Sequence, residues 1–130
     1  MHLVETIDSR VKMTKIEELI SRVFQARNIA HREHLKTDSY AKHMALGQFY
    51  DDVIESIDEI IEVHQGRHEL IGDFIVKDQL PKNVTAYLIA EAAWIENTRN
   101  SFDTCPAVLN LIDGLAAVYL RAVYKLTNLA

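Results

Sequence analysis

Apolar side chains recur at helical spacing in four stretches of the chain. Thr14-Lys15-Ile16-Glu17 has the form of a capping box, in which the Thr14 hydroxyl accepts from the Glu17 amide and the Glu17 side chain reaches back. The first predicted helix follows to about Lys36, with Ile16, Leu19, Ile20, Val23 and Ala30 on one side. At about 100° per residue, Arg27 and His34 fall inside this stripe and His31 lies roughly 60° from it. A polar group on the buried side of a helix needs a partner, so Arg27 is expected to meet a carboxylate from a neighbouring helix.

Thr37-Asp38-Ser39 offers N-caps for a second, longer helix from Tyr40 to about His64. Its apolar side is Ala45, Leu46, Phe49, Val53, Ile57 and Ile60, edged by Tyr50, Ile54 and Ile61, and Gly66 is read as a left-handed cap. Residues 67–81 read as a long connection along the bundle, since Phe74-Ile75-Val76 is too short for a sheet. A third helix is predicted from about Lys82 to Ser101, with Tyr87, Leu88, Ala92 and Ile95 facing inward and Trp94 beside them. Asp103-Thr104 cap a fourth, with Pro106 in the first turn, where its missing N–H costs nothing. From Ala107 to Leu126 only Asp113, Arg121 and Lys125 are charged. A helix apolar nearly all round is buried on more than one side, which predicts self-association. The expected fold is all-α: four helices with short turns within each pair and a long crossover between the second and third describe a ferritin-like four-helix bundle over residues 14–130, one of several topologies compatible with four helices, preceded by an N-terminal extension over 1–13.

Composition narrows the functional classes. At 130 residues the chain suits one domain, and four Gly and two Pro leave little for the turns of an all-β protein. Cys105 stands alone, which excludes an internal disulfide and a cysteine-based zinc site. The first residues carry acids and no apolar core of a signal peptide, and no apolar run reaches membrane-spanning length, so a cytoplasmic protein without a membrane partner is expected. The net charge of −5, with no polybasic arm, speaks against nucleic acid as a partner.

The stretch from His31 to Gly66 carries most of the histidines and a dense run of acids. On the helical wheel His43, Asp51, Asp58 and Glu62 fall within a sector of roughly 100° beside the apolar stripe. Imidazole with carboxylates suits divalent iron, zinc or manganese, while acids flanking a core stripe also read as the solvated shoulder of an amphipathic helix. His64, on the apolar side near the helix end, reads as a core or capping histidine; His68, His2 and Cys105 carry no pattern. No Glu-x-x-His occurs, and the last two helices offer only Glu91, Glu96 and Asp113, so a di-iron site inside one bundle is not expected.

Tyr40-Ala41-Lys42-His43, Tyr50, Asp58-Glu59-Ile60 and Glu62 together resemble the second helix of Dps-type mini-ferritins, where a His is followed fifteen residues later by Asp and nineteen later by Glu. His34-Leu35 resembles the His-Trp pair that closes the first helix of that family. His31 keeps the family's twelve-residue interval to His43 but lacks the aromatic, and His34 is favoured because the shortening then falls in the loop. HLKTDSYAKHMALGQFYD and Leu109-Asn110-Leu111-Ile112-Asp113 are similar to small ferritin-like proteins of tailed phages and their marine relatives. The likeness covers most of residues 14–128.

The resemblance implies a homo-oligomer, a dimer at least and a hollow dodecamer in many members, that oxidises Fe(II) with peroxide and serves iron storage and the oxidative-stress response. Its sites would be shared across a two-fold axis, with His34 and His43 from one subunit and Asp58 and Glu62 from the other. Iron is the implied metal, zinc or manganese the alternatives, and His31 and Asp51 are additional candidate ligands. Gly47 stands where the family has a carboxylate, and Asp51, one turn on, is the candidate substitute. The alternative is a metal-free ferritin-like structural or interaction protein in which Arg27, His34, His43, Asp58 and Glu62 fix subunit register. A third reading, nucleic-acid protection by an assembled shell, needs exposed lysines.

Overall fold

A computed structural model describes residues 12–129 and contains four α-helices and no strand among them: α1 (Lys15–Lys36), α2 (Tyr40–Arg67), α3 (Val84–Phe102) and α4 (Pro106–Asn128). The N-terminal extension, up to residue 11, lies outside the described residues. Local chemistry sets most of the helix starts. Thr14 and Glu17 form both halves of the capping box ahead of α1. Ser39 accepts from the Lys42 amide at the start of α2, and Asn83 from the Ala86 amide at the start of α3. Pro106 occupies the first turn of α4, as its missing N–H allows.

Around the bundle the neighbours run α1–α2–α4–α3 and back to α1, which leaves α2 and α3 diagonally opposed. The core is one continuous cluster. It takes Leu19, Ile20 and Val23 from α1, Leu46, Phe49, Val53, Ile57 and Ile60 from α2, Leu88 and Ile95 from α3, and Ile112, Leu115 and Tyr119 from α4. The whole apolar stripe expected on α2 is buried. Residues 68–83, which join α2 to α3, hold neither helix nor strand. They lie beside α1: the Gly72 amide donates to Glu17 Oε2 at 2.6 Å, Ser21 Oγ donates to the Ile75 carbonyl, Phe74 meets Phe24 edge-on and Asp78 pairs with Arg32.

Three expectations are corrected. Gly66 is not a left-handed cap: no described glycine has positive φ, and α2 continues through it to Arg67, with the His68 amide closing on His64 O at 2.8 Å. Among the described residues Arg27 meets no carboxylate; it donates to Asn28 Oδ1 and lies 5.7 Å from the Tyr50 ring centroid. The arginine that crosses to another helix is Arg22, bidentate to Glu91 of α3 at 2.9 and 2.6 Å with its guanidinium 3.7 Å above the Trp94 ring. Finally, α4 is long and apolar enough by length and composition alone to cross a membrane, a test that the core helix of a bundle also passes. Its scattered charges hide this when only unbroken apolar runs are sought. Its inner stripe is core, and Leu120 and Tyr124 stand exposed on the other side.

Candidate functional site

The turn between α1 and α2 brings three of the sequence-predicted residues together. His34, from the last turn of α1, and His43, from the first turn of α2, stack with ring centroids 3.7 Å apart and planes 20° from parallel. Each ring bonds to the other's backbone: His34 Nδ1 lies 2.6 Å from the His43 carbonyl oxygen, and His43 Nδ1 lies 2.9 Å from that of His34. A carbonyl only accepts, so each Nδ1 carries the proton. In the neutral rings both Nε2 atoms then keep a free lone pair, the arrangement that prepares an imidazole for a metal. His31 stacks on Tyr50 at 4.3 Å and meets His34 at 6.2 Å.

Gly47 leaves room for this packing. A Cβ there would come within 3.0 Å of His34 Cε1 and 3.2 Å of Nδ1. The space that a side chain at position 47 would enter is thus taken by the His34 ring. Asp51 lines the same cleft as His34 and His43, a space of about 570 Å³ that Met44, Lys125 and Leu129 also border. Asp58 and Glu62 do not reach it. They lie on exposed positions of α2, about 22 and 28 Å along the axis from His43 at the usual helical rise. None of Asp51, Asp58 and Glu62 takes part in a salt bridge among the described residues.

The far end of α2 holds a second cluster. Asp103, between α3 and α4, has a fully buried side chain; His64 is nearly buried and His68 half-buried. His64 Nδ1 lies 2.6 Å from Asp103 Oδ2, and His68 Nε2 lies 2.9 Å from Oδ1. The amides of Thr104 and Cys105 also donate to Oδ1, at 2.7 and 2.8 Å. Burial alone would push this carboxyl up. The Cys105 amide, His68, His64 and the Thr104 amide outweigh it and bring the carboxyl down to about 2. Glu17 is buried at the same end, its carboxylate taken by the Thr14 and Gly72 amides. Next to the cluster, the Val108 amide and Arg67 hold the Cys105 thiol below its ordinary value.

Residues 34–126 match the model of a family described as "Family of unknown function (DUF5856)". The chain belongs to this family. No curated protein and no solved structure matches it. The DUF5856 span contains His34, His43, Asp51, Asp58 and Glu62 as well as His64, His68 and Asp103; His31 and Glu17 precede it.

The second cluster is the one that sequence reading passes over. His64 and His68 stand four residues apart, a spacing that puts two rings on one face at the end of a helix. That signal was present. Asp103 gives none, because as a sequence feature it is an ordinary cap for the next helix, and only the packing of α3 and α4 against the end of α2 brings it to the histidines.

Proposed function

We propose that the protein is a ferritin-like, Dps-type bundle that assembles across a two-fold axis and binds iron between copies, with oxidation of the bound Fe(II) by peroxide as its activity. The observation that carries this reading is the tautomer lock at the α1–α2 turn: two stacked imidazoles, each with Nδ1–H held by a backbone carbonyl and Nε2 left as a lone pair. Two imidazoles with carboxylates form a donor set suited to iron, zinc or manganese. Iron here is cargo and substrate. The helix order around the bundle, and the strandless segment lying along α1, support the ferritin-like topology.

In this reading His34 and His43 ligate from one copy, Asp58 and Glu62 from the second, and His31 and Asp51 are accessory. An isologous, antiparallel pairing of α2 centred near Asp51 sets each residue against its mirror position, so His43 falls opposite the turn that holds Asp58 and Glu62. The same pairing gathers Asp51 and Asp52 of both copies near the axis, a concentration of negative charge that a bound cation relieves. Exposed Tyr40, Met44, Leu120 and Tyr124 supply apolar surface for burial between copies. Anaerobic equilibrium dialysis with Fe(II), followed by peroxide and ferric absorbance, tests the proposal. Binding in fixed stoichiometry that is lost in His43→Ala and in Asp58→Ala is expected; no such binding, or binding unchanged in both variants, overturns it.

A second reading has its own observation. The His34–His43 pair already ties the α1–α2 turn through two backbone hydrogen bonds, as a purely structural device would. In that case His34, His43, Asp58 and Glu62 set the register of a metal-free oligomer. The same two variants would then weaken self-association in sedimentation measurements while metal binding, absent from the start, did not change.

A further inference from the structure

The cluster at the far end of α2 lies within one chain and needs no second copy. One nitrogen each of His64 and His68 and one oxygen of Asp103 lie within 4.8 Å of one another. They border a cleft of about 480 Å³ that Thr14, Glu17 and Glu69 also line. Charge balance is the second observation. Glu17 and Asp103 are both buried at this end, and among the described residues neither has a lysine or arginine within 4 Å. The partners of Asp103 that can carry positive charge are His64 and His68 themselves, and a buried carboxylate must have its charge compensated, here by those rings when protonated or by an ion that they hold.

We propose that His64, His68 and Asp103 form a site for a divalent metal ion of the zinc class, separate from the site between copies, with a fourth position open to the cleft. Asp103 is suited to the task by its backbone bonds. The Thr104 and Cys105 amides hold Oδ1, which fixes the carboxylate and leaves Oδ2 to the metal. The present N···O separations of 2.6 and 2.9 Å are hydrogen-bond distances. Ligands about 2.0–2.1 Å from a tetrahedral ion stand roughly 3.4 Å apart, so the ion enters by opening the His64 Nδ1–Oδ2 contact by about 0.8 Å and by drawing His68 Nε2 off Oδ1, which keeps its two amide bonds. Each imidazole then carries its proton on the opposite ring nitrogen. His68 sits past the end of the helix and is half-exposed, so it has room to make the adjustment. Three protein ligands and a position open to solvent is the arrangement in which zinc holds a water.

The test uses the full chain carrying His34→Ala and His43→Ala, stripped with a chelator and titrated with Zn²⁺ by calorimetry, with bound metal counted by elemental analysis. The expected result is one Zn²⁺ per chain. His68→Gln and Asp103→Asn, each added to that background, should weaken binding by more than the roughly 10–100-fold that loss of an outer-shell partner costs. Asn at 103 still accepts from the Thr104 and Cys105 amides, and His68 is half-exposed, so both variants keep the fold; far-ultraviolet circular dichroism checks this. Co²⁺ as a second probe should give the visible absorption of a four-coordinate site, lost in the same variants. Absence of binding in the His34/His43 background overturns the proposal, as does binding that His68→Gln and Asp103→Asn leave unchanged.

Discussion

Gly47 tests the local account of the α1–α2 turn. Replacing glycine by alanine inside a helix normally stabilises by about 0.8–1.0 kcal/mol, because the alanine backbone has less freedom to lose. Here the new methyl group would meet the His34 ring at 3.0 Å, and the ring is held on its other contacts by the bond to the His43 carbonyl and by stacking on the His43 ring. Displacing it gives up part of a hydrogen bond worth about 0.5–1.5 kcal/mol and part of a ring contact of about the same size. Gly47→Ala should therefore be neutral or destabilising by up to about 1 kcal/mol. With His34→Ala in place the methyl group has nothing to strike, and Gly47→Ala should stabilise by its full helix-propensity gain of about 1 kcal/mol. The double-mutant cycle predicts a coupling of about 1–2 kcal/mol. For 130 residues this amounts to roughly 4–8 °C in melting temperature. Urea denaturation at one fixed protein concentration, so that any association cancels, measures it. If the two substitutions add within about 0.3 kcal/mol, the glycine is not there to accommodate His34.

Three further outcomes follow from buried groups. Glu91 is the more buried partner of Arg22, so Arg22→Ala leaves a carboxylate unpaired between α1 and α3. It should destabilise by about 2–3 kcal/mol in urea melts, below the roughly 3–5 for a fully buried pair because Arg22 reaches solvent. The Tyr87 hydroxyl is buried without a hydrogen-bond partner among the described residues, and burial, with Glu91 nearby, pushes its ionisation up. Tyr87→Phe should accordingly raise stability by about 1 kcal/mol; a loss of that size would mean the hydroxyl has a partner. Burial raises the Glu17 carboxyl, but the Thr14 and Gly72 amides and the Thr14 hydroxyl lower it further, so the net direction is down. Its contribution is then full above the unfolded-chain value near 4.5 and is lost as pH falls through the lowered folded value, so Glu17→Gln should flatten the pH dependence of the urea midpoint below about pH 5.

Local signals were readable where a helix decides its own fate. The capping box at Thr14 and the six core positions of α2 depend on neighbours within one or two turns, and the chain obeys them. The end of α2 does not depend on near neighbours alone. Asp103 grips both His64 and His68 from more than thirty residues away, so the last turn runs past Gly66 instead of stopping there. The exchange of Arg27 for Arg22 has a similar origin. A helical wheel ranks positions by angle, but which arginine crosses depends on where Glu91 and Trp94 of α3 come to rest. At the candidate site only the family resemblance set His34 with His43 in one subunit; in the structure the three-residue connection from α1 to α2 brings the two rings together. The reason for Gly47 was not legible, because an absent side chain says nothing about the ring that fills its place.

The claim that the site between copies is built from two chains is tested most directly by subunit complementation. His43→Ala and Asp58→Ala chains are each prepared, unfolded together in equal amounts and refolded, and Fe(II) binding is measured beside each variant alone. In a two-fold arrangement half of the mixed dimers are hybrids, and each hybrid rebuilds one intact site from the unmutated halves. With His68→Gln in every chain to silence the His64–His68–Asp103 cluster, neither variant alone should bind, and the mixture should recover about one quarter of the stoichiometry of the chain carrying His68→Gln alone. A mixture that binds no more than its separate components would contradict a site shared between copies.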